Sequence, residues 1–254
     1  MLTDLQKHEF ETFGFLLLKD FIPRDEMQIY IDAFDETMTK ANGGVPWDRE
    51  PEQHHVRAFY QYNPTIYHQM LDHAKINRVV EDLLGQDYAF WAAEGWHRWG
   101  GTGWHHDSVA PEGQTHLKFT FFLEPVRADT GALRMLPCSH FLPMRQRMEE
   151  WYGGMGVGDY ANWPASVTLE SNPGDAVIFN IKTYHAAFGE KADRRVIYIN
   201  YIQHPQTPQE QDYIISNYDS IYTPELFEDA TPKRMRMLAF IKEHCYDSDR
   251  GNQC

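Results

Sequence analysis

Leu117-Lys118-Phe119-Thr120-Phe121-Phe122-Leu123 alternates along its whole length. In an extended strand successive side chains point to opposite faces, so Leu117, Phe119, Phe121 and Leu123 form one wholly apolar face. Lys118, Thr120 and Phe122 form the other. The apolar face belongs against a sheet or a helix, and the mixed face looks into a barrel or into solvent. Residues 88–99, 133–136, 166–170, 176–180 and 194–202 have the same short-strand character, with Gly and Pro between them. Many short strands at this spacing predict a sandwich or jelly roll over 87–203.

Upstream the periodicity is helical. Thr3 with Gln6 has the form of a capping box ahead of Leu5, Phe10 and Phe13, and Gly14 ends that helix. Residues 15–18 read as a buried strand. After Pro23 the acids Asp25 and Glu26 occupy the first turn of a second helix, whose stripe is Met27, Tyr30, Ile31, Phe34 and Met38. Residues 65–84 read as one helix stopped by Gly85. Between them, 45–64 is polar and Pro-interrupted, and is expected to be a loop reaching towards the site. Its His54-His55 pair points apart on a strand and is not expected to bind metal.

Past residue 202 the strands stop, and a helix is expected over 233–244. The whole is read as one domain: helical support at 1–86, a jelly-roll core at 87–203 and a C-terminal extension at 204–254. That extension either packs on the core or supplies a homodimer contact.

Lys and Arg number 23 against 37 Asp and Glu, a net charge of −14. Such acidity argues against nucleic-acid and anionic-membrane partners. The N-terminal residues lack a basic region followed by an apolar one, and no run approaches the length of a membrane span. Cys138, Cys245 and Cys254 have no metal or redox spacing, so reduced thiols in a cytoplasmic setting are expected.

The chemistry centres on Trp104-His105-His106-Asp107. Residues two apart share a strand face, so His105 and Asp107 converge while His106 turns away. A distant imidazole, His185, would complete a two-histidine, one-carboxylate set that leaves coordination positions open. That donor set suits non-haem Fe(II) and O2; zinc accepts the same donors, though its structural sites lean on Cys.

His105-His106-Asp107, then 131–140 (GALRMLPCSH), then 174–179 (GDAVIF) running to His185, then Arg194-Arg195, resemble the phytanoyl-CoA dioxygenase family of Fe(II)/2-oxoglutarate oxygenases over about residues 3–201. The resemblance implies a double-stranded β-helix of the cupin-like jelly-roll kind with flanking helices. It implies Fe(II) on His105, Asp107 and His185, and hydroxylation of a small molecule with release of succinate and CO2. Asp107 argues against halogenation, because halogenating relatives lack that carboxylate. The resemblance also suggests Thr120, with Lys118 beside it, as partners of the co-substrate.

A guanidinium fork matches the distal carboxylate of 2-oxoglutarate. Arg194 shares a strand face with Val196, Tyr198 and Asn200, and Arg195 shares one with Ile197, Ile199 and Tyr201. Arg194 is preferred if the more polar face looks inward, and it also aligns best with the family; Arg195 stays the alternative. Cys138 stands where the family has Gly, and His140 is expected to be structural. Residues 141–164 are expected to be a long Gly-containing loop acting as a lid. Trp96, Trp99, Trp104, Tyr62, Trp151 and Trp163 are expected near the mouth, where they either line it or pack the core. The rival readings are a zinc hydrolase or lyase and a non-catalytic jelly-roll binding protein.

Overall fold

The computed structural model describes residues 1–47, 53–107, 110–152, 165–189, 193–217, 224–244, 246–247 and 251–252. The alternating stretch forms β5 (His116–Phe122), near the middle of a six-stranded sheet. The sheet order is β1 (Phe15–Leu18), β8 (Ala176–Asn180), β5, β10 (Asp193–Gln203), β3 (Tyr88–Trp99) and β2 (His54–Arg57). A second sheet runs β4 (Thr102–His105), β9 (His185–Ala187), β6 (Leu133–Met135) and β7 (Val167–Leu169). Every pairing in both sheets is antiparallel.

The two faces of β5 are used as the alternation requires. Leu117, Phe119, Phe121 and Leu123 join Ile197, Ile199 and Tyr201 of β10 in the main core. Over them lie α2 (Arg24–Ala41), through Met27, Tyr30 and Phe34, and α4 (Ala74–Leu84), through Ile76 and Val80. Burial of each of these large side chains contributes about 2 kcal/mol. On the opposite face Phe122, Val177, Val196 and Tyr198 meet Leu133, Met135 and Ala187 of the smaller sheet. Two sheets closed over a shared interior, with helices outside one of them, make the double-stranded β-helix.

The capping box on α1 (Asp4–Phe13) is present, and Gly14 ends the helix at φ +88°. A Cβ on Gly14 would lie 2.5 Å from His140 Nδ1 and 2.6 Å from Thr183 Oγ1. Gly14 therefore lets the helix end sit against the turn that leads into β9. His140 donates from Nε2 to the Glu11 carbonyl (3.2 Å), so it serves the fold as expected.

Several expectations from sequence are corrected. Residues 65–84 break into α3 (Pro64–Leu71) and α4, because Asp72 ends the first helix and the His73 side chain accepts from the Ile76 N–H to start the second. The supposed loop 45–64 contains edge strand β2 and a 3-10 turn at Phe59–Tyr62. In the expected lid, Leu142–Tyr152 is a helix, α5; residues 153–164, with the glycine run and Trp163, lie outside the described residues. Trp104 is buried with Leu136, Met148 and Tyr184 behind the smaller sheet, not at the mouth. In the C-terminal part, α6 (Pro208–Asn217) was not anticipated, and α7 (Pro232–His244) packs Leu238 and Ile241 into the main core.

Cys138 adopts φ +65°, the left-handed region that favours Gly. Cys138→Gly is expected to relieve about 1 kcal/mol of strain and raise the melting temperature by about 2–4 °C. Thermal unfolding checks this, and a lower melting temperature would show that the thiol contributes more than the strain.

Candidate active site

His105 ends β4 and His185 begins β9, and the two are directly paired across the strands. Their ring centroids lie 4.2 Å apart. Asp107 sits two residues beyond His105, pinned by its N–H donating to the Ile181 carbonyl (2.8 Å). One ligand atom from each of the three residues lies within 4.8 Å of the others. His106 turns the other way, with Nε2 3.7 Å from Glu149 Oε1 on α5.

The hydrogen bonds fix which nitrogen faces the centre. His105 Nδ1 lies 2.8 Å from the Gly103 carbonyl and His185 Nδ1 lies 2.9 Å from the Thr183 carbonyl. A carbonyl only accepts, so both rings donate from Nδ1 and turn Nε2 towards Asp107. Burial, then the neighbouring His105, lowers the His185 pKa to about 3, so the ring is neutral at pH 7. Two imidazoles and one carboxylate, with room left beside them, fit Fe(II) with open positions for a co-substrate.

Lys118 projects from the mixed face of β5, as the alternation requires, and its Nζ donates to Asp107 Oδ2 at 2.6 Å. Burial works to raise the Asp107 pKa, but Lys118, His185 and His105 outweigh it and hold the carboxyl well below the usual range. Burial likewise opposes the Lys118 ammonium, and Asp107 and Glu94 outweigh that effect and raise its pKa. Each partner therefore keeps the other charged. The role expected for Lys118 was contact with the co-substrate; its contact here is with the carboxylate of the metal-binding cluster.

A pocket opens from the His105, Asp107 and His185 cluster between the two sheets, with Phe122, Leu133 and Phe179 on its apolar walls. Arg194 lies in it, only 2% exposed, and donates from Nη1 to the Gly100 carbonyl (2.7 Å). Gly131 makes this placement sterically possible: at φ +92°, a Cβ there would come within 2.4 Å of Arg194 Nη1.

Arg195, the alternative clamp, is carried to the outer face by the same alternation. It pairs with Glu124 and lies 3.1 Å from Asp35, so it is removed from the pocket. Thr120 shares a face with Lys118 but is fully buried behind it. Its hydroxyl has no hydrogen-bond partner among the described residues, and it does not line the pocket itself.

Sequence reasoning missed Arg98 and Thr102, which complete the pocket wall, and Gly131 as the space for Arg194. It also missed Glu94, whose Oε2 accepts from Trp96 Nε1 (2.9 Å) and lies 3.2 Å from His55 Nε2. The available signal was alternation within 88–99, which puts Glu94, Trp96 and Arg98 on one face. Their partners became visible only through the register of β3 against β10 and β2.

A double-stranded β-helix with a two-histidine, one-carboxylate cluster at one end of its interior defines the class of non-haem iron oxygenases. The chain belongs to the phytanoyl-CoA dioxygenase (PhyH) family, whose sequence pattern it matches over residues 10–196. It is an Fe(II)/2-oxoglutarate-dependent dioxygenase, and its cofactors are Fe(II), 2-oxoglutarate and O2. The zinc-hydrolase and non-catalytic readings fall with that membership.

Solved structures share the fold at low identity. The non-haem 2-oxoglutarate-dependent carbocyclase SnoK of nogalamycin biosynthesis aligns at TM-score 0.64 with 18% identity, covering 88% of this chain and 95% of its own. The epimerase SnoN of the same biosynthesis gives TM-score 0.62 with 18% identity, covering 90% and 89%. HygX from Streptomyces hygroscopicus, with nickel and 2-oxoglutarate bound, gives 0.63 with 16% identity, covering 80% and 88%. No curated protein sequence matches the chain. Among the described residues no helix is long and apolar enough to cross a membrane.

Proposed function

We propose that this dioxygenase hydroxylates a small-molecule substrate, with His105, Asp107 and His185 as the iron ligands and Arg194 as the clamp on the distal carboxylate of 2-oxoglutarate. The observation that carries the reading is the convergence of three ligand atoms within 4.8 Å, both imidazoles tied through Nδ1 to carbonyls, at the mouth of a pocket holding a buried arginine. SnoN and SnoK, which act in the biosynthesis of a small molecule, support a substrate of that size class. The acidic surface and the free Cys138 thiol support a reducing, cytoplasmic setting. Residues 1–254 are read as one catalytic domain.

The iron, when bound, supplies oxygen activation coupled to oxidative decarboxylation of 2-oxoglutarate to succinate and CO2. The protein's own contribution is to fix geometry and exclude water. Lys118 holds one oxygen of Asp107 ionised and oriented. The Gly103 and Thr183 carbonyls prevent the imidazoles from rotating away. Arg194 offers its fork at the far end of the pocket, so a dicarboxylate enters with its 2-oxo acid end towards the cluster. Phe122, Leu133 and Phe179 supply the apolar part of the wall.

The test is anaerobic Fe(II) loading followed by 2-oxoglutarate titration, read by the visible charge-transfer band of the chelated complex. Succinate release and product mass then follow for a substrate found by screening. A product heavier by one oxygen atom meets the proposal. A product lighter by two hydrogens would replace hydroxylation with desaturation or ring closure, and absence of the band would sink the ligand assignment. Gly131→Ala is expected to raise the 2-oxoglutarate concentration for half-saturation of the band by about tenfold, roughly 1.4 kcal/mol, by pushing Arg194 aside. Unchanged half-saturation would mean that Arg194 does not hold the co-substrate where it now lies.

A further inference from the structure

Arg98 and Arg194 face each other in register across β3 and β10. Both line the pocket that opens from His105, Asp107 and His185. Among the described residues neither lies in an ion pair with a carboxylate, whereas Arg195, on the outer face of the same strand, meets both Glu124 and Asp35. Two guanidinium groups on directly opposed positions repel, and burial strengthens the repulsion because little water screens it. Burial lowers the pKa of Arg194; Tyr198 opposes that shift and Arg98 adds to it.

Arg98 is also held ready. Its guanidinium carbon lies 4.0 Å over the Trp96 ring. The other face of that indole stacks on His55 at 3.8 Å between ring centroids, and its Nε1 donates to Glu94. The Arg98 Nη1 contact with Thr102 Oγ1 is long, 3.4 Å, and its Nε is buried without a partner. A stacked, immobilised cation with an unclaimed buried donor, set beside a second cation, lacks an anion that both can reach. A carboxylate has lone pairs enough to accept from two guanidinium forks at once.

We propose that Arg98 is a second binding residue for the distal carboxylate of 2-oxoglutarate, closing on it together with Arg194. This rests on the co-substrate reading given above and goes beyond it by adding a residue. Two cations on one carboxylate would also make the pocket select a 2-oxo acid with an anionic far end. Trp96 acts through Arg98, as a positioning residue.

The experiment is anaerobic titration calorimetry of 2-oxoglutarate into the Fe(II)-loaded enzyme, with Fe(II) affinity and melting temperature measured alongside. Arg98→Gln is expected to weaken 2-oxoglutarate binding by at least about tenfold, the loss of a charge-assisted hydrogen bond, while Fe(II) affinity stays within about twofold. Arg98→Lys, which keeps the charge but not the fork, is expected to fall between the two. The melting temperature of metal-free Arg98→Gln is not expected to drop, because the substitution removes a repulsion.

Unchanged 2-oxoglutarate affinity in Arg98→Gln would overturn the proposal and make Arg98 a packing residue on Trp96 or a contact for the other substrate. Losses of Fe(II) and 2-oxoglutarate affinity in the same proportion would also overturn it, since they would report a distorted cluster. A parent enzyme that loads Fe(II) but takes up no 2-oxoglutarate would overturn the co-substrate reading and this inference with it, a result distinct from either of the others.

Discussion

Asp107→Ala is expected to abolish tight Fe(II) binding and to destabilise the fold by about 3 kcal/mol in the same variant. The metal loss follows from removing the anionic donor of the cluster, leaving two imidazoles. The stability loss has a separate origin: Lys118, with its side chain 16% exposed, would lose the counter-ion at 2.6 Å that holds its buried ammonium. His105→Ala separates the two effects. It removes one of the three clustered donors from a position a quarter exposed and leaves the Asp107–Lys118 pair intact, so metal binding should fall sharply with little change in stability.

Adding Lys118→Met to Asp107→Ala removes the orphaned amine and should recover most of the stability without recovering the metal. Fe(II) titration calorimetry with urea unfolding measures both quantities. If Asp107→Ala is as stable as His105→Ala, the ion pair contributes little and Lys118 is held by something else.

These two residues also mark how far the chain could be read without coordinates. The alternation of 117–123 places Lys118 on the inner face, because strand periodicity is local and six neighbours suffice to define it. Its partner could not be read, because Asp107 reaches it only through the turn that the Ile181 carbonyl pins. His105 and His185 were legible as donors from their residue types and the family motifs. The tautomers that make them ligands depend on the Gly103 and Thr183 carbonyls.

Where local pattern and tertiary packing disagreed, packing prevailed. The apolar spacing of 65–84 runs smoothly through Asp72-His73, yet the helix stops there because the His73 side chain caps a new start. Residues 54–57 are too polar to look like a strand, but β2 pairs on one edge only, against β3. Its inward His55 is accommodated by stacking on Trp96 and meeting Glu94. Arg98 was the largest omission. Within 88–99 it is one of two charged residues, with Glu94, and it acquires meaning only when β10 sets Arg194 opposite it.

Arg194→Ala should raise the Kd for 2-oxoglutarate by about a hundredfold, roughly 2.7 kcal/mol, and leave Fe(II) binding nearly unchanged. Arg194 is on a different sheet from His105 and His185, so its removal is expected to withdraw the distal hydrogen bonds without disturbing either histidine. Arg194→Lys should restore little of this, because an ammonium lacks the planar fork, and the space at Gly131 is shaped to a guanidinium.

The stability of Arg194→Ala distinguishes this role from a structural one. A buried arginine that anchors a fold takes most of its partners' stability with it when it is removed. Among the described residues Arg194 has the Gly100 carbonyl as its one hydrogen-bond partner, at 2.7 Å, and Arg98 opposite, so deletion loses one bond and relieves one repulsion. The melting temperature should therefore move by only a few degrees while co-substrate affinity collapses. Charge-transfer titration and thermal unfolding on the same preparation give both numbers. A variant that unfolds readily yet binds 2-oxoglutarate normally once folded would assign Arg194 to the scaffold and leave the co-substrate's far carboxylate to another residue.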